Sequence, residues 1–139
     1  MQEAITKIKE ALQLIDELKR QFSVRRHPDG CSKLLYTGVA ESNLIDKLMP
    51  VVEKRFGPAY KPAGQSALLK NWFDGFVKGV GGIRRDQTLF RLDISPELSM
   101  FCAFWPWGSE PVKTSIRIGL LCADEDLEKK MESALQGCF

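Results

Sequence analysis

The sequence predicts an α+β domain in which helices pack on an antiparallel four-stranded meander spanning about residues 79–122. Three observations predict it. Residues 88–122 alternate apolar and polar side chains with a period of two, interrupted by turn-forming clusters. The flanking segments carry apolar residues at helical spacing. The two patterns are also segregated along the chain, in the order α-α-α-β-β-β-β-α, whereas a parallel sheet would interleave them.

The first helix is expected over residues 2–22. Ile5, Ile8, Leu12, Ile15 and Phe22 recur at helical spacing, with Leu18 beside them. Glu3–Lys7 and Asp16–Arg20 are i,i+4 pairs with the acid first, the better orientation. The same apolar positions trace a heptad seam broken by Lys19. The expected use is burial in the protein's own core, with helix-mediated dimerisation as the alternative. His27-Pro28-Asp29-Gly30 supplies turn chemistry inside a loop over 23–33. Residues 33–39, KLLYTGV, are compatible with a short strand but do not require one.

A second helix is expected over 42–56, with Leu44, Ile45, Leu48, Val51, Val52 and Phe56 on one stripe. Pro50 predicts a kink or break, because proline lacks the N–H and crowds the preceding turn. Gly57-Pro58 ends the helix. Residues 66–78 have two readings. Asp74-Gly75 between aromatics is a hairpin signal. A helix is preferred, because Leu68, Leu69, Trp72, Phe73, Phe76 and Val77 then share one face behind a Ser66 N-cap. Strands follow over about 79–85, 88–94, 98–106 and 112–122. Asp86-Gln87, Ser95-Pro96-Glu97 and Gly108-Ser109-Glu110-Pro111 turn the chain between them. A last helix over 124–136 opens on Asp124, Glu125 and Asp126, which favour its positive end, and closes at Gly137.

At 139 residues the chain has the size of a single domain, able to bury a core without a disulfide or metal staple. Its four cysteines, Cys31, Cys102, Cys122 and Cys138, form no CxxC and are expected to be reduced. There is no apolar run near the roughly 18 residues of a membrane span and no signal-peptide pattern, so a cytoplasmic protein is expected. The net charge of +2 is too mild to point to nucleic acid. Its paired basic residues, such as Arg25-Arg26 and Lys54-Arg55, are scattered as on an ordinary solvated surface.

Alternation sorts the strands into two faces. Turns at 95–97 and 108–110 set Arg91 opposite Phe101, and Phe101 opposite Arg117. The inner face is then Phe90, Leu92, Met100, Cys102, Phe104, Ile116 and Ile118. The second face carries Arg91, Phe101, Trp105, Trp107, Lys113 and Arg117, with an Arg91-Phe101-Arg117 row. Aromatic platforms beside cations suit an anionic, partly apolar ligand or a protein interface. A helix laid over that face would instead make it core.

Other candidates carry less. Residues 78–85, KGVGGIRR, are glycine-rich and basic, but they follow a helix, whereas a phosphate loop precedes one. His27, Asp29 and Cys31 are explained by the turn without a metal. Cys31, after Arg25, Arg26 and His27, is the best candidate for a reactive thiol. No GxSxG, HExxH or GxxxxGK[ST] motif is present.

The sequence therefore predicts a non-catalytic binding or protein-interaction module, with Arg91, Phe101, Trp105 and Arg117 as its binding residues. A protein partner or self-association is the first expectation. The alternative is a small-molecule-binding domain or small enzyme, with a pocket between helix 66–78 and the sheet and Arg84 or Arg85 at its mouth. No cofactor and no metal are expected.

Overall fold

The structure, a computed structural model, describes residues 1–64, 84–108 and 112–139. The helix expected over 66–78 and most of the strand expected over 79–85 lie outside these residues. The described elements are α1 (Gln2–Phe22), β1 (Arg25–Arg26), β2 (Leu35–Glu41), α2 (Ile45–Phe56), β3 (Thr88–Ser95), β4 (Leu98–Pro106), β5 (Lys113–Cys122) and α3 (Glu125–Ala134). Single 3-10 turns occupy Pro28–Gly30 and Ser42–Leu44.

The fold is α+β with one antiparallel sheet, as the patterning requires, but the expected four-stranded meander is corrected. The sheet has five strands in the order β1-β2-β5-β4-β3. The ambiguous segment after residue 33 becomes β2, which lies beside β5 in antiparallel register from Leu35↔Gly119 to Glu41↔Lys113. Reading strands only between neighbours in sequence misses it, because β2 finds its partner across most of the chain.

The β3–β4 register is as expected, with Arg91 opposite Phe101 and Leu92 opposite Met100. The β4–β5 register differs by two residues. Phe101 faces Gly119 and Met100 faces Leu120, while Arg117 faces Ala103. The Arg91-Phe101-Arg117 row is therefore replaced by Arg91-Phe101-Gly119-Leu35. A slip of two residues preserves parity, so the assignment of residues to faces survives.

One face builds the main core. Phe90, Met100, Cys102, Phe104, Ile116 and Ile118 are buried against α1, α2 and α3. Phe90 and Phe104 meet edge to face at 5.6 Å between centroids, the arrangement their ring quadrupoles favour. The buried stripe of α1 is Ile8, Ala11, Leu12, Leu14 and Leu18. It is rotated from the expected stripe, leaving Ile5, Ile15 and Phe22 half-buried. The rotation follows from the neighbour on its flank. Arg55 of α2 pairs with Glu17 of α1 and donates to the Glu10 carbonyl at 2.8 Å. Helix α2 runs through Pro50 without breaking. Asp46 and Pro50 are both exposed, so the carbonyl that loses its partner faces water. Asp124 caps α3 by accepting the Leu127 N–H at 2.8 Å, and Gly137 takes φ 80° beyond its end.

Beyond the edge of β3, Lys61 makes a two-way backbone bridge with Leu89, at 3.0 and 2.9 Å. Its side chain is fully buried. The ammonium donates to the carbonyls of Arg84, Arg85 and Gln87 at 2.8, 2.6 and 2.6 Å. Burial pushes it below the ordinary lysine value, with Asp86 opposing. The Gly64 N–H donates to the Arg85 carbonyl at 2.8 Å, so the chain before Gly64 and the chain after Arg84 are fastened to one another. Three donors directed at three carbonyls are what a lysine can offer and an apolar side chain cannot.

Two outcomes check this account. Lys61→Met keeps the length of the side chain but leaves three acceptors without their donor, and should lower stability by roughly 2–4 kcal/mol in urea unfolding. A loss under about 1 kcal/mol would show that water replaces the ammonium. At Gly119, an added Cβ would lie 2.6 Å from the Phe101 ring. Gly119→Ala should therefore cost about 1–3 kcal/mol, and the double variant with Phe101→Leu should recover part of that loss.

Candidate functional site

The second sheet face is not an open platform. Leu89, Phe101 and Ala103 are buried, with Leu35, Tyr60, Trp105 and Leu121 packed around them. Phe101 spreads across Gly119, which is why no side chain fits there. The sequence-predicted residues on this face separate into two groups.

Arg91 belongs to the framework. Its Nε donates to Asp93 at 2.7 Å, and its guanidinium lies 5.4 Å from the centre of the Tyr60 ring. The hydrogen bond from Arg91 holds the Asp93 carboxyl below its ordinary value, aided by the Ser99 hydroxyl at 3.1 Å. Arg84 and Arg85 are exposed on the loop fastened by Lys61. Arg84 is 3.7 Å from Asp86, and Arg85 donates to the Gly64 carbonyl at 3.0 Å. Lys113 pairs with Glu41, and the Trp107 indole donates to Ser115 at 2.8 Å.

Arg117 differs from all of these. Its guanidinium carbon lies 4.0 Å from the centre of the Trp105 ring. Its Nε is buried without a hydrogen-bond partner, and so is the indole Nε1 of Trp105. Among the described residues no carboxylate pairs with it. Burial pushes the guanidinium below its ordinary value. Strand alternation places both side chains on the second face, and the Ala103↔Arg117 and Trp105↔Ser115 pairs make them diagonal neighbours.

A pocket of about 300 Å³ opens beside them, lined by Leu35, Phe101, Trp105, Arg117, Leu121, Cys122 and Glu128, with Ser32, Leu34 and Leu120. A guanidinium stacked by its face keeps its in-plane N–H groups available. The indole N–H is a second donor. Both orphaned nitrogens are shut off from solvent, so what the pocket meets of this pair is the accessible part of a half-buried guanidinium set among apolar walls.

The loop candidates resolve as structure. The Cys31 thiol donates to the His27 carbonyl and accepts the Thr37 N–H, both at 3.3 Å. Thr37 in turn donates to the Gly30 carbonyl at 2.6 Å. Among the described residues no cluster of metal-ligating side chains forms.

A larger groove of about 700 Å³ lies between α1 and β1, floored by Leu12, Ile15, Val24 and Tyr36 and rimmed by Lys19, Arg25 and Arg26. Sequence reasoning passed over it by treating Arg25-Arg26 as plain surface. Its signal was the pairing of those arginines with the apolar end of the first helix. Its cations are exposed, Asp16 is 3.2 Å from Arg20, and Arg26 leans over the Tyr36 ring at 5.8 Å. It has no orphaned donor among the described residues.

A half-buried cation without a carboxylate beside it among the described residues adds little to the fold that holds it. Arg117→Leu should therefore be neutral, or stabilising by up to about 1 kcal/mol, whereas Leu89→Ala on the same face should cost about 2–5 kcal/mol. Urea unfolding of both variants checks this, and a loss above about 2 kcal/mol for Arg117→Leu would make the arginine a structural residue. The chain matches no protein-family model, no curated protein and no solved structure.

Proposed function

We propose that this chain is a binding domain whose second sheet face takes up a small molecule with an anionic group on an apolar body. The observation that carries the reading is Arg117, half-buried with its Nε shut off from water, lying over Trp105 and without a carboxylate partner among the described residues, at the wall of the pocket. Arginine is suited to the task because its planar fork holds a carboxylate or phosphate by two parallel hydrogen bonds. Leu35, Phe101 and Leu121 supply apolar surface for the rest of the ligand.

This keeps the aromatic and cationic sheet face as the binding element and narrows its occupant. The burial of Phe101 and Ala103 favours a pocket over a broad interface as the reading of this face. The pocket volume lies at the lower end of the range for small-ligand sites. A net charge of +2 gives little of the counterion-release driving force that nucleic-acid binding uses. Binding is favoured over turnover by the state of the nearest thiol. Cys122 is pushed up to about 11 by burial, then by Glu128, Asp124 and Glu132, and so remains a protonated, weak nucleophile at neutral pH.

The test is a panel of short aliphatic and aromatic carboxylates and phosphates, followed by thermal shift and by the Trp105 indole N–H resonance. A ligand present at about 100 times its Kd should add roughly 2.7 kcal/mol of stability, an upward melting shift of several degrees. Arg117→Gln should abolish the shift while retaining the native melting temperature. The reading fails if millimolar anions leave the indole resonance unmoved, or if Arg117→Gln binds them as the parent does.

A further inference from the structure

The same pocket has a second charged end. Glu128, exposed on α3, lines it too, and lies near Cys122 at the end of β5. Among the described residues no ion pair involves Glu128, whereas Glu17 pairs with Arg55, Glu41 with Lys113, and Glu132 with Lys33 at 3.6 Å. Asp124, the other acid nearby, is committed to capping α3. The acids Glu128, Asp124 and Glu132 add negative charge at this end, and after burial they act to raise the Cys122 thiol.

The two ends are separated along β5. From Arg117 to Cys122 the strand advances about 16 Å, at roughly 3.3 Å per residue. Between the ends the walls are Leu35, Phe101 and Leu121. A pocket with a cation at one end, a carboxylate at the other and apolar walls between complements a molecule of the opposite polarity.

Resting on the binding reading above, we infer that the ligand is a small zwitterion: its carboxylate meets Arg117 beside the Trp105 ring, its ammonium meets Glu128, and an apolar spacer lies along Leu35, Phe101 and Leu121. Arg117 supplies most of the affinity, because it is half-buried whereas Glu128 is exposed. Glu128 is exposed, so its contribution is that of a screened surface pair and acts mainly on selectivity. The order of the charges is also fixed. A simple alkanoate satisfies one end and leaves its tail at an acidic mouth. A simple alkylamine satisfies the weaker end and leaves Arg117 unmet.

The experiment uses 6-aminohexanoate and 8-aminooctanoate as probes, with hexanoate, octanoate, hexylamine and octylamine as matched single-charge controls. Binding is read by the chemical shift of the Trp105 indole N–H and by calorimetry, at low salt. The ω-amino acid should bind roughly three- to fivefold more tightly than the alkanoate of the same length, and the alkylamine should not bind. Glu128→Gln, at an exposed position that leaves the core intact, should erase that preference. Glu128→Lys should reverse it in favour of the alkanoate. Arg117→Gln should abolish binding of both. If the alkanoate binds as tightly as the ω-amino acid to the parent and to Glu128→Gln alike, the zwitterion inference is overturned and the anion-binding reading stands. If no probe moves the indole resonance, or if Arg117→Gln binds as the parent does, both are overturned.

Discussion

The pleat of the sheet is the constraint on which the rest depends. Successive side chains on a strand point to opposite sides, so each of β2, β3, β4 and β5 must serve two environments at once. All three described helices lie on the side carrying Phe90, Met100, Phe104, Ile116 and Ile118. Whatever is left over in the alternation is thereby directed to the second face, including the arginines, both tryptophans of β4 and its continuation, and Phe101. The composition of the candidate site is a by-product of building the core. Gly119 is the point where the two requirements meet. It continues the β5 ladder and leaves the space that lets Phe101 lie flat and close the centre of the second face.

Two desolvated cations show how the same physical penalty is met in different ways. Lys61 is fully buried, and three backbone carbonyls replace the water its ammonium has lost. That arrangement is complete within the chain and holds the loop at Arg84–Gln87 against the edge of β3. Arg117 is half-buried and loses water at its Nε, and among the described residues what it receives in return is the face of Trp105. A ring face is weaker compensation than a carboxylate or a set of carbonyls, and it leaves the in-plane donors unfilled. Arg91, two strands further on, lies between these cases, with Asp93 and Tyr60 to hold it. The contrast within one small sheet separates the cations satisfied by their own chain from Arg117, whose Nε has no partner among the described residues.

Local readings succeeded where the signal lies within one segment. The extents of α1 and of β3, β4 and β5 follow from periodicity alone, and the Asp124 cap and the Gly57 and Gly137 ends follow from backbone chemistry. Readings that depended on distant partners were less complete. β2 was ambiguous because KLLYTGV alternates weakly and finds its meaning only beside β5. The stripe on α1 was rotated because α2, joined through Arg55, occupies its flank. The break expected at Pro50 did not occur, since an exposed carbonyl is satisfied by water and the apolar side of the helix remains anchored in the core.

The sequence by itself determined the fold class, the strand and helix periods and the membership of each sheet face, because these depend on the geometry of neighbouring residues in one segment. It also placed Arg91, Phe101, Trp105 and Arg117 together on one side. Only the tertiary structure decided which of them are spent on the framework. The β4–β5 pairing moved by two residues, setting Phe101 over Gly119 and freeing Arg117 to reach Trp105. Whether an arginine has a carboxylate beside it depends on register and on what other elements bring near. Alternation is blind to a two-residue slip, because parity is all that it records.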